Sequence, residues 1–217
     1  MVRDLARKRQ QLVRTRSQQI LAVENITARY QGNRIPSNQV KRLDRETIEQ
    51  LHLPDDVSLA LQANVAVITT LSAQIVILEK RLQEKVLLRP EYALLMTVPG
   101  IGLTLATVIL LEIGSIERFA SAGNFASYAR CESQHLSNGK KKGEGNSRNG
   151  NKYLAWAFVE AANFALRVCD PARRFYERKK AKTNPVVARK ALAHKLARAC
   201  FHMLKERKPF DMTRCFA

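Results

Sequence analysis

Ser147 stands between glycines and cations in the stretch Lys140-Lys141-Lys142-Gly143-Glu144-Gly145-Asn146-Ser147-Arg148-Asn149-Gly150-Asn151-Lys152. A hydroxyl in that setting suits chemistry on an anion. Glycine lets the backbone bend and come close to a ligand, while Lys140, Lys141, Lys142, Arg148 and Lys152 supply the charge that a DNA phosphate needs. Loops held by rigid helices are where such chemistry is usually placed. The plainer alternative is a solvated basic turn that ends one helix and starts the next.

A second candidate contact precedes it at Val98-Pro99-Gly100-Ile101-Gly102, ahead of the apolar run to Leu111. This reads as helix, tight hairpin, helix. Gly100 and Gly102 would let backbone N–H groups approach a phosphate, with the positive end of the next helix directed the same way. The same glycines would equally serve two helices that cross closely. No metal chemistry is indicated. The histidines His52, His135, His194 and His202 lack ligand spacing, and Cys131, Cys169, Cys200 and Cys215 form no Cys-x-x-Cys pair. The cysteines read as reduced and mostly buried.

The whole composition points to a polyanionic partner. Among 217 residues, 37 Lys and Arg against 19 Asp and Glu leave a formal charge of +18, with a pI near 10.3. Nucleic acid is the first such partner and an anionic membrane surface the second. No uninterrupted apolar run reaches the length of about 18 residues expected of a membrane span, and the start Met-Val-Arg-Asp lacks the apolar core of a signal peptide. A soluble, cytoplasmic protein is expected, without a membrane partner.

The elements that must position these residues read as helices throughout. Val2 to about Tyr30 alternates basic residues with Leu5, Leu12, Ile20, Val23 and Ile26, as in one long basic helix. It starts without a cap, so Met1 is expected to lie inside a longer reading frame. A connector follows, broken by Gly32, Pro36 and Pro54. Leu61, Ile68, Ile75 and Leu82 then recur every seven residues, with Val57, Leu71 and Leu78 on the companion position. Asn64 shares that companion position, where it would fix register or partner number. This helix is expected to fold back on the first as an antiparallel pair, either joined by another protomer as a coiled coil or as an intramolecular hairpin with no partner.

Pro90 suggests a boundary, giving residues 1–88 as basic helix, connector and coiled coil, and 89–217 as a compact helical domain. In the latter, Ser121 to Tyr128 reads as a short helix. Ala157, Phe158, Ala161, Ala165 and Val168 form a core stripe, and Trp156 either stacks on a nucleotide or packs on a neighbouring helix. Asp170-Pro171 and Asn184-Pro185 open two further basic helices, the second packing through Leu196, Ala197, Cys200 and Leu204. The fold class is all-α.

Taken in order, Val98 to Gly102, Glu112-Ile113-Gly114, Arg118-Phe119, Ala126-Ser127-Tyr128-Ala129 and Gly143 to Leu154 resemble the C-terminal part of the Piv/MooV-type DEDD insertion-sequence transposases. In that family a RuvC-like domain precedes a coiled coil and a serine-bearing domain, and some members are guided by a bridge RNA. The resemblance implies a DNA-binding transposase in which Ser147 is the nucleophile, with Ser137 as the runner-up. It also implies activation by metal-bound carboxylates of the RuvC-like domain, so Mg2+ is expected only with that domain. The clustered acids of such a domain do not occur here, so no metal site is assigned and the chain resembles a truncated transposase. DNA, a structured guide RNA and further copies joined through the coiled coil are the implied partners. A non-enzymatic DNA- or RNA-binding helical protein, or a helical scaffold, are the rival readings.

Overall fold

The computed structural model describes residues 2–131 and 150–216 and, between them, only the backbone of 136–137 and 140–141. The chain divides into two compact units, Met1–Gln83 and Glu84–Ala217. Both are helical. The exception is a two-residue antiparallel ladder in the second, pairing Leu136 with Lys141 and Ser137 with Lys140.

The first unit is built on two long helices, α1 (Val2–Gln31) and α4 (Asp55–Val86), whose last turn belongs to the second unit. Between them lie the short helices α2 (Ser37–Val40) and α3 (Arg45–Glu49). The heptad residues Leu61, Ile68, Ile75 and Leu82 are all buried. Arg9 Nε donates to Glu79 Oε1 at 2.8 Å and Arg16 Nη1 to Ser72 Oγ at 3.2 Å. Seven residues forward on α1 thus match seven residues back on α4, and the pair is antiparallel. At one end Ile20 and Val23 join Val40, Leu43, Ile48, Leu61, Val65 and Ile68 in a common core. Asp44 caps α3 through Thr47 N, which lets Ile48 turn inward.

Asn64 donates to the Ala60 carbonyl of its own helix at 3.0 Å. The opposite face of α4 leaves Leu59, Val76 and Ile77 exposed. By length and composition alone α4 is apolar enough to cross a membrane, with a mean hydropathy of 1.7 over its most apolar window. That property comes from a helix carrying one buried seam and several exposed aliphatics, not from an unbroken apolar run.

The second unit packs α5 (Pro90–Met96), α6 (Leu103–Ile113), α7 (Ala122–Tyr128), α8 (Lys152–Val168), α9 (Asp170–Lys182), α10 (Pro185–Glu206) and α11 (Met212–Phe216) around one core. Central α6 is buried nearly all round, from Leu105 to Ile113, as a helix of such continuous apolarity must be. Small residues bring the other helices close: Ala157, Ala161, Ala162 and Ala165 on α8, and Ala188, Ala193 and Ala197 on α10, are all fully buried. The few aromatics cluster, with Phe125 edge-on to Phe119 at 5.1 Å and to Phe158 at 5.9 Å. Trp156 is half-buried against this core. Val168, expected in the stripe of α8, is 72% exposed because the helix ends there and the chain turns at Cys169. Helix α11 was not legible in the sequence.

All four cysteines are buried and unbridged. Burial pushes the Cys131 thiol up to about 12 and the Cys215 thiol up to about 11, and raises Cys200 further. Since the thiolate is the nucleophile, alkylation of Cys131, Cys200 and Cys215 in the folded protein should be negligible near neutral pH. All four should react once the chain is unfolded, and mass spectrometry of iodoacetamide-treated samples measures the difference.

Candidate functional site

The segment that carries Ser147 leaves the described structure at Cys131 and re-enters it at Gly150. Of the residues singled out there, Ser147, Lys142 and Arg148 lie outside the described residues. Lys140 and Lys141 are placed only as backbone in the ladder with Leu136 and Ser137. Lys152 is described, exposed, in the first turn of α8.

What the structure does define is the junction to which both ends of that segment are tied. Asn151 is its centre. Its backbone N–H donates to the Tyr128 carbonyl at 2.6 Å, joining the return strand to the end of α7. Its side-chain oxygen accepts from Tyr153 N at 2.9 Å and Leu154 N at 3.1 Å, capping α8. Its Nδ2 donates to Glu112 Oε2 at 2.7 Å and lies 3.4 Å from the Tyr128 hydroxyl. One amide therefore uses both donor and acceptor ends to hold three helices together.

Glu112 is 1% exposed, near the end of the apolar helix α6. A carboxylate there is tolerable only with partners, and Asn151 supplies one. Arg118 places its guanidinium over the rings of Phe119 and Tyr128, at 4.6 and 4.5 Å. Burial opposes ionisation of the Tyr128 phenol, but its hydrogen bonds with Asn151 and Arg118, and the charge of Arg118, outweigh burial and lower its pKa below the ordinary value. Gly150, at φ +84°, completes the junction. A Cβ there would lie 2.7 Å from the Tyr128 carbonyl oxygen and 3.0 Å from Arg130 Cγ, so only glycine lets the return strand lie this close.

The sequence reading did not join Glu112, Tyr128 and Asn151 into one junction. Two signals were available: a lone carboxylate inside Ile109-Leu110-Leu111-Glu112-Ile113, and an asparagine placed as a helix cap directly after a glycine.

The two glycines of the Pro-Gly-Ile-Gly turn have different surroundings. Gly100, at φ +85°, faces α8: a Cβ there would lie 2.3 Å from the Ala161 carbonyl oxygen and 2.5 Å from Ala165 N. It permits close crossing of the hairpin on α8. Gly102 is exposed, begins α6 as its N-cap, and has nothing within 4 Å of a Cβ position. Of the two, Gly102 is the one open to a ligand.

Among the described residues no three His, Cys, Asp or Glu side chains converge as a metal would require, and the Glu112 carboxylate is taken up by Asn151. The described residues do not fit a catalytic divalent ion.

Within this helical unit, residues 92–177 match the family described as "Transposase IS116/IS110/IS902 family". The matched range runs from α5 into α9 and contains the junction and the Ser147 segment. The chain is also similar to the "Insertion element IS110 uncharacterized 43.6 kDa protein" of Streptomyces coelicolor (strain ATCC BAA-471 / A3(2) / M145), with 36% identity over 95 residues. That stretch covers 43% of this chain and 23% of the relative.

The junction makes two stability predictions. Asn151→Ala removes a helix cap and a partner of a buried carboxylate, and should cost about 2–4 kcal/mol in denaturant unfolding. Asn151→Asp keeps the cap but sets two carboxylates face to face; protonation relieves that repulsion, so its deficit should shrink as pH falls from neutral into the carboxylate range. Gly100→Ala combines a left-handed backbone with overlap against α8 and should cost about 2–5 kcal/mol. Gly102→Ala, with open space, should cost less than about 1 kcal/mol by the same measurement.

Proposed function

We propose that this chain acts in insertion-sequence DNA transposition, as the serine-bearing part of a Piv/MooV-type transposase, with Ser147 as nucleophile. The observation that carries this reading is the family match over residues 92–177, which encloses Ser147 together with the junction at both roots of its segment. The Ser147 hydroxyl attacks a DNA phosphodiester: an Oγ–P bond forms as the P–O bond to the departing strand breaks. The hydroxyl proton passes to a base, and the departing oxygen takes one up. The covalent phosphodiester conserves the bond energy needed for rejoining.

On this reading the lysines and Arg148 around Ser147 hold flanking phosphates, and the exposed N–H groups at Gly102 add a backbone contact. Activation of the hydroxyl belongs to a RuvC-like acidic domain acting with this one. DNA is the partner, a structured RNA is the guide, copies join through the apolar face of α4, and the setting is the cytoplasm.

Incubating the chain with insertion-sequence end DNA and an intact RuvC-like domain should yield a covalent protein–DNA adduct. Ser147→Ala should abolish the adduct while leaving DNA affinity within about twofold, whereas Ser137→Ala should retain it. An adduct that persists in Ser147→Ala, or its absence from the unaltered chain under these conditions, refutes the assignment.

A further inference from the structure

A deep concavity in the second unit lies apart from the Pro-Gly-Ile-Gly turn. It is a cleft of about 1490 Å³ between α9, α10 and the chain from Lys208 to Cys215. That exceeds the roughly 300–1,000 Å³ of an ordinary small-molecule site. Its long wall is one stripe of α10: Lys190, His194, Arg198 and His202 line it, each four residues from the last. At 1.5 Å per residue they step about 6 Å at a time along the helix axis, a spacing comparable to that of successive phosphates in an extended strand. Lys179 of α9 and Lys208 add charge from the opposite side.

The acids in the cleft do not offset this. Both Glu206 carboxylate oxygens are engaged by Arg214, at 2.7 and 2.8 Å, and Asp211 accepts from Arg214 N at 3.0 Å. Lys179, Lys190, Arg198 and Lys208 form no ion pair with any acid among the described residues. The lining is also aromatic. Phe175 and Phe210 are half-buried in the cleft, and Lys195 lies over the Phe175 ring at 5.2 Å. A concave cationic track with aromatic rings suits an unpaired strand, whose bases are free to stack, better than a duplex, whose bases are not.

The cleft also reaches, at one residue, the chain that leads into the candidate loop. Cys131, the last described residue before the Ser147 segment, lines it. From these observations we infer that the α9–α10 cleft binds a single nucleic-acid strand, holding its phosphates on the Lys190–His194–Arg198 stripe and leading it to the root of the segment that bears Ser147. The last clause rests on the proposed nucleophile. Strand binding itself does not.

The experiment uses the full chain carrying Ser147→Ala, so that strand binding is read without covalent chemistry and its outcome is separate from the adduct test. Binding of a labelled oligothymidylate is followed by fluorescence anisotropy across a salt series. Each phosphate contact contributes about −0.7 to the slope of log K against log salt for a single strand. Lys190→Ala/Arg198→Ala should therefore reduce the slope magnitude by about 1.4, with an unchanged circular dichroism spectrum and melting temperature. Lys190→Arg/Arg198→Lys should restore it. Arg174→Ala/Arg178→Ala removes the same charge from exposed residues of α9 outside the cleft and should leave the slope as it was.

Oligouridylate run in parallel tells RNA from DNA as the source of the strand, and binding of either supports the cleft. The inference is overturned if neither oligonucleotide binds, if the α9 variant loses as much slope as the α10 variant, or if duplex DNA competes as well as the strand per nucleotide.

Discussion

The second unit depends on one amide side chain used to its limit. Asn151 joins the buried carboxylate of α6, the end of α7 and the first turn of α8. Its backbone N–H ties the return strand to α7 as well. Each of these groups is costly when buried without a partner: a carboxylate in an apolar helix, free N–H groups at a helix start, a carbonyl at a helix end. A single residue satisfies them together, so the junction is a point of specification as much as of stability. A residue with only an acceptor or only a donor cannot take its place.

Two close approaches surround that point, and both are made through glycine at positive φ. Gly150 lets the return strand lie against the α7 carbonyls, and Gly100 lets the hairpin between α5 and α6 lie against the backbone of α8. With the alanine stripes of α8 and α10, they explain how a chain with only 6% aromatic residues builds a close-packed unit. Proximity of backbones takes the place of side-chain bulk. The first unit solves its packing differently, by an aliphatic seam that recurs every seven residues and an ion pair between antiparallel helices.

Much of this architecture was legible. The all-α class, the heptad seam at Leu61, Ile68, Ile75 and Leu82, and the core stripe of α8 up to Ala165 follow from periodicity, which burial on one face enforces. Val168 did not follow, because periodicity does not announce where a helix stops. Motif order carried a resemblance to insertion-sequence transposases, and the match at residues 92–177 agrees with it at that coarse level. The site was less legible. Ser147 was marked by its glycine and lysine neighbours, yet Glu112, Tyr128 and Asn151 are up to 39 residues apart in sequence, and no local pattern joins them. Likewise His194 and His202 read as an ordinary helix surface, since only the opposing chain from Lys208 to Cys215 makes that surface a cleft.

Helix α10 divides its labour sharply. Several of its inward positions, Ala188, Ala193, Ala197 and Cys200, are small and fully enclosed, so enlargement at any of them displaces a neighbouring helix. Its outward positions, Lys190, Arg198 and Lys205 among them, are charged and wholly or partly exposed. Mutation can therefore rewrite the chemistry of the outer wall one side chain at a time while the inner wall tolerates little change, and a helix so partitioned can change what it recognises without refolding the protein that carries it.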